Sequence, residues 1–259
     1  MGLLLIAAAG GVRAAQELFT VPTRNGVTES YLLVRNPSAS PGIVVIAFVG
    51  QPGVIGLGGK QVPMGFGPMT NFLIRLRNDL VDRQFAEALV EAPSDKLPQG
   101  LSDDFRLGPE HLTDIRAVVG DVKKRFPEAK IYLAGHSRGT VSAAALAANL
   151  GDSVQGAVLL ATITKADRYG PGLSSFDFST IRIPLLVVHH RQDACPPNPY
   201  YGAERLGKSF ALVSVSGGEA PQSGPCDSQS AHGFYGKDAA VAAAIKAWML
   251  GQPFPRDIQ

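Results

Sequence analysis

The stretch KIYLAGHSRGT, residues 130–140, is a short apolar run that ends in a turn, where Gly135 and Gly139 flank Ser137. Glycine accepts backbone conformations and close contacts that a Cβ atom would block, so two glycines around one serine indicate a very tight turn. Such a turn holds the Ser137 hydroxyl out at its tip, between the end of a strand and the start of a helix. Whether this serine is a nucleophile depends on whether other parts of the chain supply a base and a carboxylate.

Apolar runs typical of buried strands alternate along the chain with amphipathic segments typical of helices. The run GIVVIAFVG at residues 42–50 is unbroken, as expected of a strand that is covered on both faces. Residues 109–126 place their apolar side chains on one helical stripe behind Pro109, which suits a first helical turn. The predicted strands are residues 29–35, 42–50, 85–93, 130–135, 156–162, 184–190 and 210–218, and the predicted helices are residues 70–83, 109–126, about 137–150 and 237–250. This alternation predicts a mostly parallel sheet with helices on both faces.

The loops that follow the predicted strands are the places to look for reactive side chains, because ligands bind at the carboxyl ends of parallel strands. A serine hydroxyl becomes a useful nucleophile when a base takes its proton, and that base is normally a histidine oriented by a carboxylate. Of the five histidines, His232 lies in the loop between the last predicted strand and the last helix. Asp193 follows the strand at 184–190 and is the expected carboxylate, with Asp177 and Asp167 as alternatives.

The other four histidines are assigned no catalytic role. His136 is adjacent to Ser137 and is expected to point elsewhere, while His111 begins a helix and is expected at the surface or in a pocket wall. Four side chains near the end of one strand have the chemistry of metal ligands: His189, His190, Asp193 and Cys195. We favour the carboxylate role for Asp193 over a metal site, and the sequence predicts no metal and no cofactor.

The chain resembles an α/β-hydrolase, and the resemblance covers nearly all of the mature chain. Three motifs carry it: GHSRG at residues 135–139, HHRQD at 189–193 and AHGF at 231–234. The resemblance implies an α/β-hydrolase fold, with a mostly parallel sheet of about eight strands, helices on both faces, and a small lid or none. It also implies a catalytic triad in the chain order Ser137, Asp193, His232.

The resemblance further implies two backbone donors for the oxyanion of a tetrahedral intermediate. The first is the amide of Arg138, which follows the serine at the start of a helix, where the helix dipole adds to the stabilisation. The second comes from the loop after the third strand, here VGQPGVIGLGG at residues 49–59. Pro52 has no N–H, so Gln51 is the expected donor, with Gly50 behind it.

In function, the resemblance implies a serine hydrolase that cleaves a small-molecule ester through an acyl-enzyme intermediate. The segment between residues 162 and 184 is short, so any lid is small, and a small lid favours small or extended esters. A thioesterase, an amidase or a peptidase on the same fold, and a non-catalytic binding protein, remain alternatives, because this fold hosts many chemistries.

Composition and charge argue against two classes of partner. The 24 Lys and Arg residues nearly balance the 22 Asp and Glu residues and are dispersed along the chain, so no basic patch for nucleic acid is predicted. After the first residues no apolar run is long enough to span a membrane, so no stable membrane insertion is expected. No linker divides the chain, so residues 16–259 are expected to form one domain, with a monomer as the default oligomeric state.

Residues 1–15 have the pattern of a secretory signal peptide. An apolar stretch at residues 3–9 precedes small residues, although no Lys or Arg comes before it. The two cysteines of the chain, Cys195 and Cys226, flank the loops of Asp193 and His232, and a disulfide between them would tie these loops together. Export to the periplasm or to the exterior would allow such a bond. The alternative is a cytosolic enzyme with two free thiols that keeps residues 1–15.

Overall fold

The structure, a computed structural model, describes residues 14–59 and 71–259, and the central element of this part is a nine-stranded sheet. In chain order the strands are β1 (Ala15–Arg24), β2 (Val27–Arg35), β3 (Ile43–Phe48), β4 (Phe85–Val90), β5 (Lys130–His136), β6 (Gly156–Leu160), β7 (Leu185–His190), β8 (Ala211–Val215) and β9 (Asp257–Ile258). Across the sheet their order is β1-β2-β4-β3-β5-β6-β7-β8-β9. The pairs β1–β2 and β2–β4 are antiparallel, and the pairs from β4 to β9 are parallel. The sheet is therefore mostly parallel, as the sequence predicted.

Helices cover both faces of this sheet. They are α1 (Phe72–Leu80), α2 (Asp103–Leu107), α3 (Pro109–Arg125), α4 (Gly139–Asn149), α5 (Tyr200–Leu206) and α6 (Asp238–Met249). Ile46 of β3 belongs to a core with α3 and α4, while its neighbour Val45 belongs to a second core with α1 and α6. Successive residues of a strand point to opposite faces, so a strand between two cores must be apolar at every position. This explains the unbroken apolar run of β3, whose six residues are all buried.

Two helix starts follow directly from the sequence. α3 begins at Pro109, as predicted, where a missing N–H costs no intrahelical hydrogen bond. α1 begins after Asn71, whose side-chain oxygen accepts a hydrogen bond from the Leu73 N–H at 2.9 Å. It ends before Val81, which has an extended backbone, so α1 is shorter than the predicted helix at 70–83.

Several elements of the structure were not visible in the sequence pattern. β1 lies at the antiparallel edge, where most of its residues are exposed or half-buried, and it contains Pro22, a residue that argues against an interior strand. β9 has two residues, while α2 has five and α5 has seven, lengths that are too short for a clear periodic pattern. The described sheet therefore has nine strands where about eight were expected.

The N-terminal segment stays a prediction. The expected signal peptide covers residues 1–15, of which residues 1–13 lie outside the described residues. Ala15 already belongs to β1. Within residues 14–59 and 71–259, no helix combines the length and the apolar character that crossing a bilayer requires.

Candidate active site

Ser137 sits in a sharp turn directly after β5, with a left-handed backbone at φ +55°. Its N–H donates to the Leu160 carbonyl oxygen at 2.9 Å, which fixes the turn against the neighbouring strand. A Cβ atom at Gly135 would overlap the carbonyl oxygen of Gly139, and a Cβ atom at Gly139 would overlap that of Phe48. Both flanking glycines are therefore required by close backbone contacts, and they allow a serine to adopt a conformation that side chains rarely take.

His232 and Asp193 meet at the same edge of the sheet, in loops that follow β8 and β7. His232 Nδ1 lies 2.9 Å from Asp193 Oδ2, and both side chains are at most 1% exposed. The other oxygen, Asp193 Oδ1, accepts a hydrogen bond from the Cys195 N–H at 2.9 Å, which orients the carboxylate. His232 Nε2 is buried and has no hydrogen-bond partner among the described residues, so it is available to a group in the cleft.

A second histidine, His189, lies beside Asp193. Its Nδ1 accepts a hydrogen bond from the Thr162 N–H at 3.3 Å, so its Nε2 carries the proton and donates to the Asn198 carbonyl oxygen at 2.9 Å. The same Nε2 lies 3.5 Å from Asp193 Oδ2. Burial by itself would raise the pKa of Asp193, but the His232 and His189 rings outweigh it and hold the pKa well below its usual range. Asp193 is therefore ionised at neutral pH.

Two further histidines near this pair are held neutral. His136 Nε2 donates to the His232 carbonyl oxygen at 3.0 Å, and the two ring centroids are 5.0 Å apart. Burial lowers the pKa of His136 to about 3. His190 Nε2 donates to the Gly217 carbonyl oxygen at 3.0 Å while its Nδ1 accepts from the Gln192 N–H, and burial lowers the pKa of His190 as well. The His136 ring is therefore bonded to the backbone of His232, and neither ring adds positive charge near the pair.

Ser137 and His232 line one cleft of about 760 Å³. Its described walls come mainly from the loops after β3, β6, β7 and β8, so it lies at the carboxyl ends of the parallel strands. Val54 and Ile163 supply apolar surface, and Tyr169, which is 44% exposed, supplies an aromatic ring. A cleft of this size with a mixed lining suits a small molecule or one end of a longer one.

The loop after β3 approaches Ser137 closely. A Cβ atom on Gly50 would lie 3.2 Å from Ser137 Cβ and 3.6 Å from Ser137 Oγ, so a larger residue would press on the serine. Among the described residues, no acceptor is bonded to the N–H of Arg138 or to that of Gln51. Both residues line the cleft. Unpaired amides beside a serine have the character of oxyanion donors, and their assignment to that role stays a prediction.

The Arg138 side chain is buried between two carboxylates. Its Nη1 donates to Asp103 Oδ2 and its Nη2 donates to Asp167 Oδ1, each at 2.5 Å. Asp103 Oδ2 also accepts a hydrogen bond from the Gly172 N–H at 2.8 Å. This network fixes the segment 163–183, which follows β6, to the turn that carries Ser137.

The two alternative carboxylates have other partners. Asp167 is paired with Arg138. Asp177 is exposed and caps the 3₁₀ helix Phe178–Thr180 by accepting a hydrogen bond from the Ser179 N–H at 2.9 Å. Within the described structure, Asp193 is therefore the one of these three aspartates whose side chain is hydrogen-bonded to His232.

Cys195 and Cys226 form a disulfide, as the sequence predicted. Their Cα atoms are 4.6 Å apart, and the bond closes a loop with a sequence separation of 31. Because Cys195 lies in the loop of Asp193 and Cys226 lies in the loop of His232, the disulfide ties the two loops together. In the described parts of the chain, no group of three or more His, Cys, Asp or Glu residues is arranged to hold a metal ion.

His111 is buried, so the expectation of a surface or pocket-wall position is wrong. It is 1% exposed, and its ring lies between those of Phe48 and Phe105, with centroids 5.9 and 5.6 Å away. Phe105 belongs to α2, the short helix that the sequence pattern did not reveal, and α2 covers the start of α3. Burial, together with the nearby Arg106 guanidinium, lowers the pKa of His111 to about 3.

A mostly parallel sheet, a serine at a left-handed strand-to-helix turn, and a histidine–aspartate pair in the later loops define the α/β-hydrolase fold, and this chain has that fold. Comparisons with known proteins agree with this classification. Residues 99–176 match the family described as "Serine aminopeptidase, S33". No curated protein sequence matches the chain.

Solved structures of the same fold resemble nearly the whole chain. Est1E from Butyrivibrio proteoclasticus is 16% identical with a TM-score of 0.63, covering 91% of this chain and 98% of that chain. The dienelactone hydrolase from Anabaena variabilis is 17% identical with a TM-score of 0.62, covering 93% and 99%. XC6422 from Xanthomonas campestris, described as a serine hydrolase without a lid, is 18% identical with a TM-score of 0.59, covering 92% and 94%. Similarity at these identities shows the fold, so the activity has to be argued from the site.

Proposed function

We propose that the protein is a serine hydrolase that cleaves carboxylic esters through an acyl-enzyme intermediate. In this proposal Ser137 is the nucleophile, His232 is the general base and acid, and Asp193 orients the histidine. One observation carries the proposal. His232 Nδ1 pairs with Asp193 Oδ2 at 2.9 Å, while His232 Nε2 has no partner among the described residues and its ring lines the same cleft as Ser137.

The first half of the reaction forms the acyl-enzyme. Because the ionised Asp193 accepts a hydrogen bond from the Nδ1–H of His232, the Nε2 atom carries no proton and takes that of Ser137 as Oγ attacks the ester carbonyl carbon. The carbonyl oxygen becomes an oxyanion that accepts hydrogen bonds from the N–H groups of Arg138 and Gln51. When the tetrahedral intermediate collapses, the bond to the alcohol oxygen breaks and His232 Nε2 gives its proton to the leaving alcohol.

The second half repeats these steps with water. A water molecule gives a proton to His232 Nε2 and attacks the acyl carbon, and the same two amides stabilise the second oxyanion. Collapse breaks the bond to Ser137 Oγ, which regains its proton from His232 and releases the carboxylic acid. The ionised Asp193 stabilises the histidine each time that its ring is positively charged.

The surroundings of the cleft favour small or extended esters. The segment 163–183 contains one 3₁₀ helix, Phe178–Thr180, and is anchored to the turn of Ser137 through Arg138. We infer that an anchored segment of this length leaves the cleft open, so that an extended substrate enters with one end in the cleft and the other in solvent. Val54 and Ile163 offer apolar contacts to the part that enters.

The proposal is tested with Ser137→Ala and a panel of p-nitrophenyl esters of increasing acyl length. Wild type is expected to hydrolyse the shorter esters, and the variant to lose several orders of magnitude in kcat/KM. A fluorophosphonate probe is expected to label wild type and to leave the variant unlabelled, with unchanged circular dichroism. Residual activity of the variant within tenfold of wild type would remove Ser137 from the mechanism.

A peptidase is the second candidate, because residues 99–176 match a serine aminopeptidase family. The same triad can also act on an amide bond or a thioester, so the class of leaving group has to be measured. Aminoacyl p-nitroanilides and acyl thioesters, assayed beside the p-nitrophenyl esters, separate these activities. A non-catalytic binding protein is excluded if the fluorophosphonate probe labels Ser137.

We also propose that the protein is exported to the periplasm or to the exterior, with residues 1–15 removed. The disulfide between Cys195 and Cys226 is compatible with an oxidising compartment. Intact mass of the protein purified from each cell fraction tests this. An unprocessed chain that is confined to the cytosol would contradict it.

A further inference from the structure

The buried carboxylate of Glu91 is hydrogen-bonded to the loop after β3, the loop that approaches Ser137. Glu91 directly follows β4 and is 1% exposed. Its Oε2 accepts hydrogen bonds from the N–H groups of Gly56 and Leu57, each at 2.7 Å. Its Oε1 accepts from the Ile55 N–H at 2.7 Å and from the Ala92 N–H at 3.1 Å. One side chain therefore satisfies three consecutive amides of a loop that lies 34 to 36 residues earlier in the chain.

The loop that Glu91 holds has little regular structure of its own. Between the end of β3 at Phe48 and the 3₁₀ helix Leu57–Gly59, no helix or strand is present, and Gly53 and Gly56 have positive φ. The same loop brings Gly50 against Ser137 and carries Gln51, the expected second oxyanion donor. Successive amides that converge on one anion form a nest, and the anion fixes their orientation. The position of this loop thus depends strongly on the Glu91 carboxylate.

A second buried glutamate shows that burial alone does not explain this arrangement. Glu87 lies four residues earlier, within β4, and is fully buried. Its carboxyl group has no hydrogen-bond partner among the described residues. Of these two glutamates, only Glu91 is bonded to the loop.

We propose that Glu91 is a positioning residue for the reaction, because its carboxylate fixes the loop so that the Gln51 amide stays directed at the oxyanion. This inference rests on the proposed hydrolase function. It goes beyond that function by assigning the position of the Gln51 amide to a side chain that does not touch the substrate.

Glu91→Gln is the sharpest perturbation, because it keeps the size of the side chain. One carboxylate oxygen becomes an NH₂ group, so two of the four amides that donate to Glu91 face a donor instead of an acceptor. Loss of one oxyanion donor costs about 10²–10³ in kcat. We expect a partly displaced loop, and a fall in kcat of between about tenfold and that full value. Glu91→Asp keeps the charge, withdraws it by one methylene group, and is expected to lie between Glu91→Gln and wild type.

Two kinetic readouts separate positioning from a general loss of stability. First, kcat is expressed per active site titrated with a fluorophosphonate, so that unfolded protein does not count. Second, the Ki of an alkylboronic acid is measured, because its tetrahedral adduct with Ser137 places an oxygen in the oxyanion site. The Ki is expected to rise by the factor by which kcat/KM falls. The pH midpoint of kcat/KM is expected to stay unchanged, since the hydrogen bond between His232 and Asp193 is not altered.

Hydrogen exchange provides a readout that needs no activity. The amides of residues 55–57 are expected to be protected in wild type and to exchange at least tenfold faster in Glu91→Gln. Glu87→Gln is the control, because it makes the same substitution in a buried glutamate of the same segment that has no bond to the loop. It is expected to leave kcat, the boronic acid Ki and the exchange of residues 55–57 as they are in wild type.

The outcomes are distinct for the inference and for the proposed function. If Glu91→Gln and Glu91→Asp keep kcat per site and the boronic acid Ki within twofold of wild type, Glu91 is not a positioning residue. Faster exchange of residues 55–57 with unchanged kcat overturns the inference in the same way. So does a fall in kcat in Glu87→Gln that equals the fall in Glu91→Gln. If wild type itself is inactive and unlabelled, the proposed function fails. Unchanged exchange in both Glu91 variants would then show that the carboxylate does not fix the loop either.

Discussion

Replacing Arg138 by methionine removes the positive charge from the network that joins the turn of Ser137 to the segment 163–183. The Arg138 and Asp103 side chains are 2% and 1% exposed, while that of Asp167 is 24% exposed. Methionine fills much of the same volume, so the main effect is electrostatic. Asp103 would be left as a buried carboxylate without its principal ion pair, whereas Asp167 can turn to water.

The expected loss of stability follows from these exposures. Breaking a buried ion pair by removing one partner costs about 3–5 kcal/mol, because the remaining charge is uncompensated. Asp103 keeps the hydrogen bond from the Gly172 N–H, and the buried Arg106 guanidinium is near enough to interact with it. The loss is therefore expected at the lower end, about 3 kcal/mol. For a chain of this size that corresponds to a fall in Tm of about 6–12 °C.

Urea denaturation followed by circular dichroism measures this loss. Arg191→Met is the control, because Arg191 pairs with Asp257 at the surface, with side chains 42% and 56% exposed, and should change stability by less than about 1 kcal/mol. The double variant Asp103→Asn/Arg138→Met removes both charges and should lose less than the sum of the two single variants, by at least about 1 kcal/mol. The electrostatic reasoning is refuted if Arg138→Met unfolds like wild type, or if the losses simply add.

Three further changes test other parts of the molecule. Asp193→Asn should lower kcat for p-nitrophenyl acetate about 10⁴-fold, because the His232 ring loses the partner that fixes its tautomer. Asp177→Asn should match wild type. If Asp177→Asn is inactive and Asp193→Asn is active, Asp177 is the catalytic carboxylate. Replacing Cys195 and Cys226 by serine opens a loop with a separation of 31 residues. The free energy of unfolding, measured by urea denaturation, should fall by about 3–4 kcal/mol. An unchanged urea midpoint would argue against the disulfide. Burial raises the pKa of Glu87 from 4.5 to about 8. Between these two values the folded state keeps a proton that the unfolded chain releases. The free energy of unfolding therefore falls as pH rises from about 5 to about 8. Glu87→Gln should flatten this fall in Tm, and parallel Tm–pH curves would contradict it.

The parts of the site that the sequence predicted are marked by a local pattern or by residue types that are rare in the chain. The turn around Ser137 is specified by two glycines within two residues of it, and both are needed for contacts that the structure contains. The disulfide followed from the presence of two cysteines and from the loops in which they lie. The mostly parallel sheet followed from the unbroken apolar runs, because strands buried on both faces have little choice of composition.

The parts that were missed depend on contacts between distant residues. Glu91 is bonded to amides about 35 residues away, and Arg138 is bonded to Asp103 at a separation of 35. Because their partners are so distant along the chain, the local sequence does not show that the Glu91 and Arg138 side chains are buried and bonded. His111 was misplaced for the same reason, since the short helix that covers it has no periodic pattern. The sequence marks His189 as a strand-end residue with the chemistry of a metal ligand, but it does not reveal that the ring contacts Asp193.

The loops of the cleft are each fixed by a different long-range bond. The Glu91 carboxylate holds the loop after β3, the Arg138 network holds the segment after β6, and the disulfide joins the loops after β7 and β8. The sheet positions the strand ends, but it cannot by itself orient the loops that follow them. A misplacement of about 1 Å in such a site can cost about a hundredfold in rate. Substitutions at these bonds should therefore reduce activity per folded molecule, whereas substitutions in the core between sheet and helices should mainly reduce the number of folded molecules.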